Sequence, residues 1–586
     1  MRRTISHVSI ALVTAFMLLP AAGTRAWAAS NFDFVGSGNG HGLGMSQWGA
    51  EGLAELGWSY DQILTHFYRG TTVAPDASPP GRIRIGLTQD RTRVHLTAKN
   101  GPVKIWLGEA VTGTLIGTIA AGLTWKVAAK DTGYLVKDET GTSVGGKTWG
   151  GPSVDLILSY EEDGGRVFIP ETDEIWGDGF SYSRGTIEFN LYGCKSGGCE
   201  ERLIARLGFE EYLYGIGEVP ASWPMAALRT QAVAARTYAT YSLRHYGLRG
   251  SCNCNLTDGS GDQVYAGYVR ESGTLGARWM NAVDTTAHEI VTYDGKVIQA
   301  FYSSSDGGHT ENVEDVWHGG DPAFAIPWLR GVCDPGEWAS GNSWLDWTRT
   351  FDADTLTARL APYTGNVGTI TTFRSIVRGR SGRIVSLKAR GTGGSASLSG
   401  GELRAGLGLP DDRVWINADR NILGSIRVMY DELMCAPGLA ESPTVRLQGG
   451  AQQFFEAGGI YRNKDVDLTV WLRGAIDAEF RAVGAGTGRL GLPVSTVQVL
   501  SSKALSCTRC KRVDFAGGRI YWKRGVGAHA LWGPVLDRYL KADGPGGALG
   551  FPTSRVKRID TGGMKARFEH GSIVCSESGS CKVHLA

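Results

Sequence analysis

The chain has 586 residues, a formal net charge of +2 and 20% charged residues, a length that allows several modules. A near-neutral chain without a basic run argues against nucleic acid as the main partner. Its 84 glycines and 18 tryptophans point to β-rich construction with many turns, and to ring faces suited to stacking on sugars.

In chain order, Arg2 and Arg3 precede an apolar run from Val8 to Leu19, and Ala26-Trp27-Ala28 offers a small-residue cleavage site. Residues 1–28 read as a secretory signal peptide, because the apolar run is too short to cross a bilayer. No later stretch approaches the roughly 18 apolar residues of a spanning helix, so a secreted chain with no membrane span is expected. Tyr60 to Tyr68 is predicted as a helix. Arg82–Leu87, Arg93–Leu96, Val103–Trp106 and Val154–Leu158 alternate as strands, giving a β-rich arm near 83–170. The long helical pattern is Met225 to Tyr246, and a further helix covers Ala277 to Ala287. The first 430 residues read as an α+β domain.

Ten cysteines form an even set suited to an oxidising compartment. Cys194/Cys199, Cys507/Cys510 and Cys575/Cys581 are natural local pairs closing Gly/Ser-rich turns. Cys252 and Cys254 are poorly spaced to join each other, so each is expected to pair with Cys333 or Cys435. The alternative is a metal site built from His245, Cys252 and Cys254, which needs reduced thiols and a fourth ligand.

The most informative stretch runs Glu211-Tyr-Leu-Tyr-Gly-Ile-Gly-Glu218-Val-Pro and on into an Ala-rich helix carrying Gln231 and Arg236. It places Glu218 on a short Gly/Pro-bounded loop against a rigid helix, which is how one acid is aimed at a substrate. The plainer reading is an acid complementing a helix dipole. Glu210 and Glu211 are expected at surface or capping positions.

This segment resembles the stage II sporulation protein D family, whose relatives include amidase enhancers. Asp262-Gln-Val-Tyr265, Trp279-Met-Asn-Ala, Ile298 to Trp317, Arg380-Ser-Gly-Arg383 and Leu398-Ser-Gly-Gly-Glu-Leu-Arg404 continue the resemblance over roughly residues 31–425. In one respect the chain departs from it. Gly40-His41-Gly-Leu-Gly-Met45-Ser-Gln47-Trp-Gly-Ala50 and the Tyr60–Gly70 segment resemble the end of the family's domain, yet here they begin it. The arrangement is similar to a circular permutation, and implies that residues 36–73 pack beside strands near residue 410. A domain of residues 29–430 follows from this reading.

Farther on, Phe455-Glu-Ala-Gly-Gly-Ile-Tyr461 recurs at Phe515 and Phe568, and Gly488-Arg-Leu-Gly-Leu-Pro493 recurs as Gly547-Ala-Leu-Gly-Phe-Pro552. Such self-similarity marks repeats. Residues 445–586 resemble LGFP-type repeats of β-hairpin type, with Ser501–Cys510 as an insertion, and this implies attachment to the cell wall.

The family resemblance implies a peptidoglycan lytic transglycosylase needing one carboxylic acid, because the sugar's own 6-hydroxyl replaces water. Glu218 is then the acid and base, where ordinary glycosidases use two carboxylates. Val219, Trp223 and Tyr302 are expected to provide an apolar surround. Gln231, Arg236, Tyr302 and His41 are carried over as substrate-binding residues; for Arg236 the alternative is a buried ion pair. Ser303–Ser305 beside Asp306 and His309 superficially suggests a hydrolase triad, but no G-x-S-x-G elbow is present. Glycan strands are the expected partner, with an N-acetylmuramoyl-L-alanine amidase as a second, and no cofactor is expected. The alternatives are a non-catalytic amidase enhancer and a wall-binding structural protein.

Overall fold

The first described strand, Phe32–Gly36, lies in the middle of a three-stranded antiparallel sheet. It has Trp347–Phe351 on one side and Val414–Ile416 on the other. The computed structural model describes residues 31–586, apart from 161–163, 173–176, 178, 196–197, 339–340 and 503–506. The signal peptide assigned to residues 1–28 and part of the Ser501–Cys510 insertion therefore lie outside the described residues. Phe34 pairs with Ile416, and the Gly40 amide donates to the Pro410 carbonyl at 3.1 Å, so the first described residues are sewn to the strands near residue 410. The loop that follows is glycine-rich for a steric reason. Gly42 has φ of +67°, and a Cβ there would lie 2.1 Å from the Arg383 guanidinium carbon.

Five helices frame the site: α1 (Gln47–Glu55), α2 (Tyr60–Phe67), α3 (Phe209–Tyr214), α4 (Met225–His245) and α5 (Gly273–Asp284). The Ser46 hydroxyl caps α1 by accepting from the Gly49 amide at 3.0 Å. In α3 the Glu211 carboxylate accepts from the Gly208 amide at 2.9 Å, its capping role. The centre of the domain is α4. Its alanines let α1, α2 and α5 approach closely, and Ala232, Val233, Ala234, Ala235 and Ala239 are all buried. A helix buried on most of its surface serves as a scaffold that neighbouring loops can lean on.

The β-rich stretch forms two antiparallel-dominated sheets. A seven-stranded sheet is ordered Leu256–Thr257, Arg82–Arg91, Gly198–Gly208, Thr186–Lys195, Leu156–Tyr160, Val103–Leu107 and Thr114–Ile119. A five-stranded sheet holds Phe180–Tyr182, Arg166–Ile169, Arg93–Lys99, Thr124–Lys130 and Gly133–Lys137. Alternation places Ile83, Ile85 and Leu87 inward, in one core with residues of α3, α4 and α5. A smaller core gathers Phe32, Phe34 and the sheet Ile370–Arg378, Ile384–Gly391, Ser395–Ser399. The fold is α+β, and the helix over Gly273–Asp284 starts four residues earlier than the sequence pattern indicates.

The C-terminal repeats are three four-stranded meanders, not hairpins alone, and helices join them. The recurrent phenylalanines Phe455, Phe515 and Phe568 are buried, and each receives a ring from the helix preceding its sheet. Tyr430 stacks on Phe455 at 5.3 Å, Phe480 meets Phe515 at 4.4 Å, and Tyr539 meets Phe568 at 4.6 Å. Pro493 and Pro552 bridge to Phe515 and Phe568, so each Leu-Gly-x-Pro segment closes on the sheet that follows it. The repeating unit is thus a helix with the next sheet, and the helix Gly424–Glu432 begins the array.

All ten cysteines are paired. Cys194–Cys199, Cys507–Cys510 and Cys575–Cys581 are the local bridges expected. Two expectations are overturned: Cys252 joins Cys254, and Cys333 joins Cys435. The intervening Asn253 takes φ of +52°, a left-handed turn that asparagine tolerates and that brings the two Cα atoms to 5.1 Å.

Candidate acid–base site

Glu218 sits where the α3–α4 loop is tied down on both sides. The Gly217 amide donates to the Val264 carbonyl at 2.8 Å, and Ile216 bridges to Tyr265. The Arg270 guanidinium donates to the carbonyls of Ile216 (3.0 Å) and Val219 (2.6 Å), and Arg278 holds those of Ala221 (3.2 Å) and Trp223 (2.8 Å). Gly215 is required there, since a Cβ would fall 2.3 Å from the Tyr265 ring.

The carboxylate is half-buried. Its Oε1 accepts from the Val264 amide at 2.7 Å, and its Oε2 accepts from Gln47 Nε2 at 3.1 Å. Burial pushes its pKa above the usual carboxylate range, against the lowering effect of the Val264 N–H, Gln47 and the Tyr302 hydroxyl. Burial wins, which favours the protonated form needed of a general acid. Behind it, Gln263 Nε2 donates to the Tyr302 hydroxyl at 2.7 Å and the Tyr212 hydroxyl donates to Gln263 Oε1 at 2.9 Å. Gln47 also reaches Gln231 Oε1 at 3.5 Å, and Gln231 Nε2 is buried with no partner. Trp223 is buried against Trp48, ring centres 5.0 Å apart. Asp262, the residue before Gln263, is committed to Arg249 (2.6 Å) and to the Thr257 amide and hydroxyl. Although burial alone would raise its pKa, those partners hold the Asp262 carboxyl below the usual range, so it is no second acid.

Of the residues named from sequence, the fold gathers Glu218, Gln231 and Tyr302. Arg236 is not with them. It is 1% exposed and committed to Glu210 (Nη2 to Oε2, 2.7 Å) and to the Val283 carbonyl. Five residues along a helix turn a side chain about 140° from Gln231, so the buried ion pair is the correct reading. His41 contacts the Phe301–Tyr302 segment and not Glu218 itself. Its Nδ1 accepts from the Leu43 amide at 3.0 Å, its ring lies edge-on to Phe301 and Trp317, and burial pushes its pKa down to about 4. It is a neutral turn histidine, with no hydrogen bond to Glu218 among the described contacts. The metal alternative fails because both thiols of Cys252 and Cys254 are oxidised and His245 stacks on Tyr241 at 5.1 Å. The triad-like group is not assembled: the Ser305 hydroxyl donates to Glu337 at 2.8 Å, and His309 Nδ1 bonds to the Thr310 carbonyl.

Sequence reasoning did not place Gln47, Gln263, Tyr212 or Arg270 at the site. Gln47, Gln263 and Tyr212 belong to the quoted motifs and Arg270 to none, and nothing local says that Gln47 meets a carboxylate 171 positions away. A cavity of about 840 Å³ opens elsewhere, beside Cys333 and Cys435, lined by His66, Arg69, Arg378 and Tyr430 among others, and it contains no member of the Glu218 network.

A carboxyl of raised pKa, held by hydrogen bonds on a helix-backed loop, makes Glu218 a candidate functional residue. Residues 198–293, spanning α3, α4 and Glu218, match the family described as Stage II sporulation protein, and residues 490–547 match the LGFP repeat. The chain thus carries a stage II sporulation protein domain followed by LGFP repeats. It is 37% identical over 139 residues to the amidase enhancer of Bacillus subtilis, covering 24% of this chain and 16% of that one. It is 29% identical over 163 residues to stage II sporulation protein D of Bacillus subtilis (26% and 45%). An uncharacterized protein of Brachyspira hyodysenteriae is 36% identical over 132 residues (22% and 33%). These matches span less than half the length of each relative. Among the described residues, no helix is long and apolar enough to cross a membrane.

Proposed function

We propose that this chain is a secreted lytic transglycosylase of the cell wall, cleaving the MurNAc–GlcNAc bond of peptidoglycan glycan strands with Glu218 as its one acid and base. The observation that carries the reading is the Glu218 carboxyl, raised by burial and fixed at both oxygens. Protonated Glu218 gives its proton to the glycosidic oxygen as the bond to C1 of N-acetylmuramic acid breaks. The resulting carboxylate takes the proton of the C6 hydroxyl while that oxygen closes on C1. The product is a 1,6-anhydro end, no water is consumed, and Glu218 returns protonated. In this reading Tyr302 bonds acetamido or hydroxyl groups of the strand, and Gln231, itself 1% exposed, reaches the site through Gln47. The LGFP repeats hold the enzyme at an insoluble substrate, and the N-terminal segment, permuted relative to the family, completes the site through Gln47.

A second reading is favoured by the relative named amidase enhancer: the chain binds an amidase, and Glu218 has a structural role. Incubating the protein with purified sacculi and analysing the muropeptides separates the two. Anhydro-ended glycans support the first reading, whereas faster stem-peptide release only when amidase is added supports the second and removes the first.

A further inference from the structure

Beneath α1, Asp306, Asp334 and Glu337 meet with at most 0% exposure each, and one oxygen from each lies within 4.8 Å of the others. Two of the three carboxylates are only half satisfied. Asp306 Oδ1 accepts from the Gly308 amide at 2.7 Å and Asp334 Oδ1 from the Gly336 amide at 2.8 Å. The Oδ2 atoms of both are buried and have no hydrogen-bond partner. Glu337 accepts at Oε1 from the Ser46 hydroxyl and the Asp306 amide, and at Oε2 from Ser305 and Asn342. Among the described contacts no guanidinium donates to these carboxylates: Arg383 pairs with Asp411 at 2.7 Å and reaches only the Asp306 backbone carbonyl at 3.0 Å, Arg427 pairs with Asp431 at 2.6 Å, and Arg413 donates to the Ser381 carbonyl at 2.8 Å. Three carboxylates packed this closely without solvent need compensating positive charge or protons.

We propose that Asp306, Asp334 and Glu337 bind a divalent cation of the calcium type. The donors are all hard oxygens, with no nitrogen or sulfur, which selects the Ca2+/Mg2+/Mn2+ group over zinc or copper. Calcium accepts about six to eight oxygens in flexible geometry, whereas magnesium demands a near-ideal octahedron. Magnesium also keeps several waters, and a fully buried pocket suits calcium better.

The ion's position gives it a structural task. Ser46 caps α1, and the next residue is Gln47, which donates to Glu218. Gly49 of α1 lies against Asp334 so closely that a Cβ would fall 1.7 Å from its Oδ2. Asp306 follows Tyr302 by four residues. The cation therefore pins α1 and the Tyr302 segment from below. Binding of the ion does not depend on the reaction proposed above.

The test uses the full-length mature protein, with calcium alone as the probe. After dialysis against EGTA, then against millimolar CaCl2 and a final wash, elemental analysis should find about one calcium per chain. Its melting midpoint should rise by about 5 °C on adding CaCl2 to the EGTA-treated protein, and MgCl2 should give much less. No retained calcium with an unmoved midpoint, or stoichiometric zinc in its place, overturns the proposal. Asp306→Asn with Asp334→Asn should lose the metal and melt alike with and without calcium. A folded double variant that still melts higher in calcium would assign the ion elsewhere and overturn this site.

Discussion

Replacing Gln47 with methionine, a side chain of similar length and volume, removes one donor from Glu218 and the long contact to Gln231 Oε1. Gln47 Nε2 lies 3.1 Å from Oε2 and steadies the ionised carboxylate, so its loss raises a pKa that burial has already raised. A hydrogen bond to a charged acceptor contributes ~1.5–3 kcal/mol, and one pKa unit corresponds to ~1.36 kcal/mol. Glu218 is only half-buried and water screens part of that effect, so the lower end applies, an upward shift of about one unit. The general acid acts when protonated, so cleavage is lost as pH rises through the Glu218 pKa. Gln47→Met should therefore carry the alkaline limb of kcat/KM on soluble glycan strands upward by about one unit, with the fold intact. A 13C titration of the Glu218 carboxyl should move by the same amount. A limb that stays in place, or moves down, in the folded variant would refute both the acid role and the reach of the N-terminal segment into the site.

Other outcomes follow from the same geometry. Thiol titration of the denatured, unreduced protein should find none, and peptide mapping should recover Cys252–Cys254 and Cys333–Cys435; any free thiol at these positions contradicts the pairing. Cys333→Ala with Cys435→Ala opens a loop of 102 residues and should cost up to ~4–5 kcal/mol by chain entropy, read from denaturant melts. Arg236→Met strands the Glu210 carboxylate and should cost ~2–3 kcal/mol, below the fully buried range because Glu210 is 25% exposed, with KM for glycan unchanged. A raised KM would return Arg236 to the substrate. Residues 474–586 hold two complete helix-plus-sheet units and should pellet with sacculi alone; if they stay in solution, the repeats have another partner.

Much of the site was legible where chemistry and local pattern coincide. Glu218 stands between Gly217 and Pro220 ahead of an alanine-rich helix, and both the loop and α4 follow from that spacing. The short disulfides were legible because chain length alone brings Cys194 to Cys199. What failed depended on long-range geometry or on backbone states that sequence does not announce. Cys252–Cys254 requires the left-handed turn at Asn253. Gln47 meets Glu218 because Met45–Ser46 pairs beside Tyr302–Ser303 and α1 packs on α4. Arg236 was within reach of sequence reasoning, since its helical phase already set it apart from Gln231. The carboxylates Asp306, Asp334 and Glu337 converge from separate turns, and the serines preceding Asp306 drew attention to a triad that is not there.

The most direct test of the central claim is mass analysis of the products formed from purified glycan strands by the wild-type protein and by Glu218→Gln. The wild type should release fragments one water lighter than hydrolysis products, ending in 1,6-anhydro-N-acetylmuramic acid, while folded Glu218→Gln should be slower by at least about 100-fold. Hydrolytic ends from the wild type, or near-full cleavage by the folded Glu218→Gln protein, would contradict the one-acid mechanism.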